Sequence, residues 1–322
     1  MNDGERHDPM SSPTGEQWAI AHGQQTAVVT EMGATLRVYS LADDEILDGF
    51  GADEWSHAGR GQVLAPWPNR LGDGRYEFGG QRIQAALNEP EHGNAIHGLV
   101  RWLPWRLEAH AQNVVSLRCS LYPTPGYPFL LELRVEYRLA RDGLVVTTTA
   151  ANPGPATLPF GLGFHPYLKV GTDHIDTAVL RLPARARLVV DGRGLPTGEV
   201  RPVAGTEFDF TTARAVGPTR MDTAFTALER DDDGRAVASL DHPDGGRGVD
   251  VWMDDRFSHL MCYTGDTLAA VPQRRRAISL EPMTCPPDAL RSGKELVVLE
   301  PGQEWVAVWG VSPRTDVADG PG

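Results

Sequence analysis

The sequence predicts an all-β protein, built as one large antiparallel β-sandwich. Short runs of alternating apolar and polar residues follow one another along the chain, and convincing amphipathic helices are nearly absent. Glycine and proline are plentiful, at 35 and 25 of 322 residues, as expected when tight turns join many short strands. We therefore expect strands that bury one face each and pack as antiparallel sheets.

Three hairpins carry this pattern most clearly. Residues 26–30 and 35–39 flank a Met-Gly turn, and residues 75–78 and 81–84 flank Gly79-Gly80, a pair typical of a two-residue hairpin loop. The segment 131–139 alternates apolar and charged residues and leads through a short turn into a second strand, residues 144–149, which predicts a hairpin with one wet face. Further strand candidates are 178–182, 187–190, 249–252, 277–280, 295–299 and 305–311.

The ends of the chain differ from its middle. Residues 1–16 are polar and rich in glycine, proline and serine, so we expect a disordered leader, and we expect residues 314–322 to form a flexible tail. Residues 17–313 show no linker and no repeat, which favours a single domain. The N-terminus lacks the pattern of a signal peptide, and no stretch is apolar enough to span a membrane, so we expect a cytoplasmic protein.

Charge and cysteine usage exclude several classes of function. A formal net charge of −13 argues against nucleic acid and against an anionic membrane as partners, although a small anionic substrate remains possible. Cys119, Cys262 and Cys285 are too few and too widely spaced for a disulfide framework or a structural zinc site, so we expect reduced thiols. No nucleotide-binding loop, serine elbow or zinc-protease motif is present, and we expect neither a cofactor nor a metal.

Two early segments place polar residues in constrained loops. Asn69 and Arg70 follow two prolines and precede two glycines. The guanidinium of Arg70 could bind paired hydroxyl groups of a ligand or could pin the loop through carbonyls. His97 precedes Gly98 and could hydrogen-bond a ligand or be a structural histidine. The sequence leaves both interpretations open at each position.

His165 and Glu281 are the candidates for acid–base chemistry. His165 lies between Phe164 and Pro166, which should restrict its ring, and an imidazole exchanges protons near neutral pH. Glu281 is expected to end an apolar strand that Pro282 stops, where a carboxylate is costly unless it is paired or functional. The alternative for Glu281 is a carboxylate that binds loop amides.

Asp222 completes the set of candidates. It precedes Thr223, so it could bind a ligand or cap the N-terminus of a helix. The sequence alone does not separate these two roles.

Taken in order, these segments resemble the aldose 1-epimerase (galactose mutarotase-like) superfamily. Asn69-Arg70 is similar to the family's Asn-Arg motif, residues 94–98 to its His-Gly segment, and residues 163–167 to its His-Pro-aromatic motif. Asp222 falls where the family has its sugar-binding aspartate, and Leu280-Glu281-Pro282 resembles the catalytic glutamate segment. Each motif is weak by itself, but their common order over about residues 65 to 285 makes the resemblance specific.

The resemblance implies the family's supersandwich fold, with a small-molecule sugar bound in an open cleft and no cofactor. It also implies that Glu281 acts as the base and His165 as the acid in the interconversion of α and β anomers. The residues implied to hold the sugar are Arg70, His97, Asp222 and Asn69. Aromatic residues that could stack on the sugar ring are Trp67, Phe164 and Tyr167.

Three alternatives stay open from the sequence. A glycoside hydrolase would use Glu281 and Asp222 as its carboxylate pair, and a non-catalytic sugar-binding module would use the same scaffold without chemistry. A mutarotase for a phosphorylated or sulfonated hexose would need a cation in the cleft, for which Arg101, Arg274 and Arg275 are candidates. The oligomeric state, monomer or homodimer, is likewise open.

Overall fold

The structure, a computed structural model, describes residues 12–315. Over these residues nearly all regular structure is β-strand, which confirms the predicted all-β class. The first strands are β1 (Gln17–His22), β2 (Gln25–Thr30), β3 (Leu36–Leu41), β4 (Asp44–Glu45), β5 (Val63–Leu64), β6 (Arg70–Gly72), β7 (Arg75–Phe78), β8 (Gln81–Gln84), β9 (Asn94–Ile96), β10 (Arg106–Ala111), β11 (Val114–Leu121), β12 (Leu131–Ala140) and β13 (Gly143–Ala151). The remaining strands are β14 (Leu158–Phe160), β15 (Gly163–Phe164), β16 (Tyr167–Leu168), β17 (Val179–Arg181), β18 (Ala184–Val190), β19 (Pro196–Pro202), β20 (Arg214–Ala215), β21 (Asp222–Leu228), β22 (Ala236–Asp241), β23 (Arg247–Met253), β24 (His259–Tyr263), β25 (Ile278–Met283), β26 (Val297–Leu299) and β27 (Glu304–Thr315). Within residues 12–315, helical structure is limited to α1 (Ala289–Ser292) and to 3₁₀ turns at Val100–Trp102 and Val271–Gln273.

Two large antiparallel sheets form the sandwich. One has nine strands in the order β10-β11-β12-β13-β27-β23-β22-β17-β20. The other has eight, in the order β19-β18-β21-β24-β25-β15-β5, with β16 also paired to β25. Apolar side chains of both sheets, among them Val135, Tyr137, Leu260 and Leu280, are fully buried in one continuous core. This burial is the main source of stability, since apolar area removed from water contributes roughly 25 cal/mol per Å².

The hairpins lie where alternation and turn residues predicted them. In β12 the apolar residues are buried and the charged ones face outward, and the strand pairs with β13 through a short turn. The hairpin β7–β8 closes through Gly79 and Gly80, whose φ angles of 57° and 76° match the left-handed values that such a loop requires.

The chain is ordered further toward both ends than composition predicted. Residues 12–16 fall in the predicted leader, yet Thr14 is buried and Ser12 Oγ accepts a hydrogen bond from Gln17 Nε2 at 2.9 Å. β27 continues to Thr315, past the predicted domain boundary. The polar composition of residues 12–16 does not predict their contacts, because the polar side chains that form these hydrogen bonds are also common in solvated tails. The rest of the predicted leader and tail lies outside the described residues.

Pro282 does not stop its strand as the sequence predicted. β25 runs through it to Met283, so Glu281 lies inside the strand. The N–H groups of Leu280 and Thr284 donate to Pro166 O and Leu162 O, on the side away from β24. The missing N–H of Pro282 points to that same side, at the break between β15 and β16, so the pairing with β24 is kept.

Two further predictions concern membrane-spanning segments and the cysteines. Within residues 12–315, no helix has the length and apolar character needed to cross a membrane. The three cysteines are free and buried, and burial raises the pKa of the Cys119 and Cys285 thiols to about 12. The cytoplasmic location stays a prediction.

Tyr137 offers a test of the core. Its buried hydroxyl donates to Ala34 O at 2.7 Å and joins the nine-stranded sheet to the loop before β3. Tyr137→Phe removes the donor and leaves that carbonyl unpaired, so we expect the free energy of unfolding to fall by about 1–2 kcal/mol in urea denaturation. Tyr122→Phe, at a side chain that is 69% exposed, is the matched control and should change nothing. Equal stability of both variants would contradict this account.

Candidate active site

A cleft of about 380 Å³ opens on one face of the eight-stranded sheet. Its floor comes from the neighbouring strands β21, β24, β25 and β16, and its walls come from the loops around β6 and β9. The cleft therefore brings together segments that are far apart in the sequence.

Strand register places the floor residues on one face. Tyr167 pairs with Ser279, Ser279 with Tyr263, and Tyr263 with Asp222. Directly paired residues of antiparallel strands point to the same face, so these side chains form one row across four strands. Glu281 lies two residues beyond Ser279 and therefore points to the same face. The strand period of two thus positions the carboxylate in the cleft.

A close backbone approach positions the wall. β6 pairs with β9, and the N–H of His97 donates to Asn69 O at 2.8 Å. Both residues have left-handed backbone, with φ of 54° at Asn69 and 65° at His97, a conformation that functional sites often retain. Gly98 allows the approach, since a Cβ there would lie 2.0 Å from Ala65 O.

His165 and Glu281 are in direct contact. The distance between His165 Nε2 and Glu281 Oε1 is 3.3 Å, and both side chains are nearly fully buried. Ser279 Oγ lies 2.9 Å from His165 Nδ1 and donates to Pro166 O at 3.1 Å. A serine that gives its one proton to the carbonyl accepts from the imidazole, and in that arrangement the imidazole carries its proton on Nδ1. Nε2 is then the acceptor that faces Glu281.

The electrostatic environment moves the two groups in opposite directions. The pKa of Glu281 is raised well above its ordinary value, mainly by burial and secondly by the charge of Asp222. Burial, and next the charge of Arg60, lower the pKa of His165 to about 3. Both shifts disfavour the charged form of the group concerned, so burial favours a protonated carboxyl beside a neutral imidazole over the charged ion pair. Glu281 Oε2 has no hydrogen-bond partner among the described residues.

His97 lies against this pair. Its ring meets that of His165 edge-on, with centroids 5.3 Å apart, and its Nδ1 has no partner among residues 12–315. Burial, and next the neighbouring His165, hold the pKa of His97 well below its ordinary range. A neutral imidazole here can donate or accept a hydrogen bond without adding charge to the cleft.

Arg70 binds carboxylates and not the loop carbonyls that the sequence also allowed. Its Nε donates to Glu89 Oε2 at 3.0 Å, and its NH1 lies 3.4 Å from Asp222 Oδ2. Asp222 begins β21, so it is no helix cap, and its side chain is half exposed. The ion pairs hold Arg70 and Asp222 side by side at the cleft wall.

Two of the aromatic residues that the sequence offered for sugar stacking lie elsewhere. Trp67 and Phe164 are buried in the core, where Phe164 packs on Trp309 with ring centroids 4.9 Å apart. The prediction that these two rings stack on a sugar is wrong, because both rings pack in the interior of the sandwich. Tyr167 does line the cleft, and its ring stacks on His165 at 5.0 Å and 15°.

The sequence reasoning missed several residues of the site. Glu89 and Tyr263 line the cleft, and Gly59 lies so close to His165 that a Cβ would be 2.6 Å from Cδ2. None belongs to a recognisable motif, and only strand register or loop packing brings them here. Gly59 has a left-handed φ of 79°, and a single glycine in a loop sequence does not predict this conformation.

The buried carboxyl group gives a test of these electrostatics. A carboxyl whose pKa is raised on folding stabilises the protein fully below its unfolded pKa of about 4.5, and this contribution is lost as pH rises through the folded value. We therefore expect Glu281→Gln to be more stable than wild type by about 1–2 kcal/mol at pH 8 and to lose that advantage near pH 4, measured by urea denaturation. The exposed Glu304→Gln is the control, and a gain independent of pH would contradict the assignment.

Comparison with known proteins identifies the family of this chain. Residues 16–312 match the family model described as aldose 1-epimerase. The chain is 32% identical over 291 residues to the uncharacterized protein YihR of Escherichia coli, covering 90% of this chain and 91% of that one. It is 25% identical to the galactose mutarotase of Sus scrofa, covering 92% and 93% of the two chains. The crystal structure of a GalM/aldose epimerase homologue from C. elegans superposes with a TM-score of 0.84 at 19% identity, covering 93% and 99%. The chain belongs to the aldose 1-epimerase family.

Proposed function

We propose that the protein interconverts the α and β anomers of a hexose, with Glu281 as base and His165 as acid. The observation that carries this proposal is the 3.3 Å contact between His165 Nε2 and Glu281 Oε1 in a polar cleft. The similarity to a galactose mutarotase supports an aldose as substrate. A non-catalytic sugar-binding module would not need this buried pair, whose two groups have opposed pKa shifts.

Anomer interconversion opens and recloses a hemiacetal. The base takes the proton of the C1 hydroxyl while the acid gives a proton to the ring oxygen, and the bond between C1 and O5 breaks to give the open aldehyde. Rotation about C1–C2 exposes the other carbonyl face, and the reverse proton transfers close the ring. The overall step is redox-neutral, and each group ends it ready for the opposite role.

A pair that shares one proton suits this chemistry. Transfer of that proton from Glu281 to His165 Nε2 gives a carboxylate and an imidazolium, which are the base and acid that ring opening needs. The imidazolium is a strong acid because burial disfavours its charge, and Ser279 Oγ accepts the hydrogen bond from its Nδ1–H. The unpartnered Oε2 of Glu281 is the oxygen left to accept the C1 hydroxyl proton.

The cleft wall would orient the sugar. Arg70 and Asp222 together present donors and acceptors at one edge, suited to vicinal hydroxyls. His97 adds a neutral donor or acceptor, and Asn69 fixes the backbone that carries both His97 and Arg70. Holding the ring in one orientation lowers the entropic part of the barrier.

The direct test is anomer exchange measured by polarimetry or saturation-transfer NMR with fresh α-D-galactose and α-D-glucose. We expect acceleration over buffer that falls by about 10²–10⁴-fold in Glu281→Gln, because one general acid or base contributes a factor of that size. Glu304→Gln, at an exposed carboxylate on β27, should retain full activity. Full activity in Glu281→Gln would refute the base, and release of sugar from an aryl glycoside would point to a hydrolase.

Arg101 favours a second candidate, an epimerase for a phosphorylated or sulfonated hexose. Among the described residues its guanidinium lies within 4.0 Å of no carboxylate, its Nε has no partner, and NH1 lies 3.4 Å from Gln62 Oε1. Burial lowers its pKa to about 10, and it lines the cleft. Arg275, by contrast, is paired with Asp176 and Asp266. An uncompensated guanidinium in a cleft is a ready partner for a phosphate or sulfonate oxygen.

This candidate is tested with D-glucose, D-glucose 6-phosphate and a 6-sulfonated hexose in the same exchange assay. We expect the acidic sugar to have the higher kcat/KM and Arg101→Gln to lower it by about 10–100-fold, the size of a charge-assisted hydrogen bond, with little effect on glucose. An equal loss for neutral and acidic sugars would show that Arg101 only supports the fold.

A further inference from the structure

A stack of three side chains includes the ring of His165. The ring of Tyr167 lies parallel to His165, and the guanidinium of Arg60 covers the ring of Tyr167 with Cζ 4.5 Å from its centroid. The hydroxyl of Tyr167 donates to Ala58 O at 3.1 Å, which ties the ring to the loop that carries Arg60. Arg60, Tyr167 and His165 therefore form three successive layers in contact.

The outer end of the stack is anchored by buried ion pairs. Nε and NH2 of Arg60 donate to Asp48 Oδ2 at 3.3 and 3.2 Å, and the two side chains are only 3% and 4% exposed. Arg276 NH2 binds the other oxygen, Asp48 Oδ1, at 2.7 Å. Because two cations share one carboxylate, the anchor keeps a net positive charge.

We propose that Arg60 is a positioning residue for His165: fixed by Asp48, it clamps Tyr167 against the imidazole and so holds the ring that faces Glu281. This inference rests on the proposed epimerase function and adds a residue that touches neither the sugar nor the reacting atoms. The contact of Arg60 with Tyr167 holds the plane of the His165 ring, and the charge of Arg60 disfavours the imidazolium form of His165.

The charge of Arg60 acts on His165 across the tyrosine ring, over no more than about 10 Å. The other charged or titratable groups that face His165 are Glu281, His97, Tyr167 and Arg101. Glu281 stabilises an imidazolium, whereas both arginines destabilise it, and His97 is neutral. Removal of the Arg60 charge must therefore make the imidazole easier to protonate.

The experiment measures kcat and KM against pH for wild type, Arg60→Gln and Arg60→Lys. Glutamine can still donate to Asp48 but carries no charge. We expect its acid limb in kcat/KM to move to higher pH by about 0.3–1 unit, the shift for a charge at this distance with a dielectric constant between water and protein. We also expect kcat to fall by about tenfold with little change in KM, since the ring is less well held. Arg60→Lys keeps the charge, so its limb should stay in place while kcat falls.

Arg235→Gln is the matched control, since Arg235 covers Trp252 in the same way at 4.3 Å on the other sheet. It should leave both the limb and kcat unchanged. An Arg60→Gln protein that is folded, with wild-type limb and kcat, would overturn the inference. If that variant does not fold, Arg60→Lys decides, because a wild-type kcat there would overturn the clamp.

A measurement without substrate separates this inference from the proposed function. The imidazole ¹⁵N shifts of His165, assigned with His165→Gln, report the tautomer and the protonation of the ring directly. We expect the Nδ1–H tautomer in wild type and a raised His165 pKa in Arg60→Gln. Absence of anomer exchange in wild type would refute the proposed function, whereas an unchanged His165 titration in Arg60→Gln would refute the role of Arg60.

Discussion

The contact between Glu281 and His165 is the interaction around which the cleft is organised. Burial disfavours the charged form of each of these groups, so a carboxyl group and an imidazole that are both nearly excluded from water are least costly to bury together in their neutral forms. The contact of Ser279 Oγ with Nδ1 orients the imidazole so that Nε2 faces the carboxyl group.

The sandwich provides the rigidity that this pair requires. Glu281 and Ser279 lie on a central strand, paired on one side with β24 and on the other with the interrupted strands β15 and β16. The interruption is where the chain turns out of the sheet and His165 turns toward Glu281. A break in one strand next to an intact one thus combines precise placement with an opening, which a complete ladder could not offer.

Several parts of the molecule followed from local sequence. Alternation predicted the β12–β13 hairpin, and two glycines predicted the turn between β7 and β8, because both features depend on neighbouring residues only. Aromatic character did not tell Tyr167 from Trp67 and Phe164, since whether a ring faces the core or the cleft depends on what packs across from it. The prediction that Pro282 stops the strand was wrong for a similar reason, since the effect of a proline depends on which side of the strand lacks a partner.

The sequence by itself determined the all-β class and the main hairpins, because strand period and turn chemistry depend on adjacent residues. The order of short motifs along the chain also gave the candidate site residues His165, Glu281, Arg70, His97, Asp222 and Asn69. Only the tertiary structure decided that these candidates meet in one cleft, that Arg60 and Tyr167 stack behind His165, and that Arg101 has no carboxylate partner among the described residues. These facts depend on pairing between strands far apart in the chain and on burial. Burial and long-range pairing set proton affinity and charge balance, and neither can be calculated from residues one at a time.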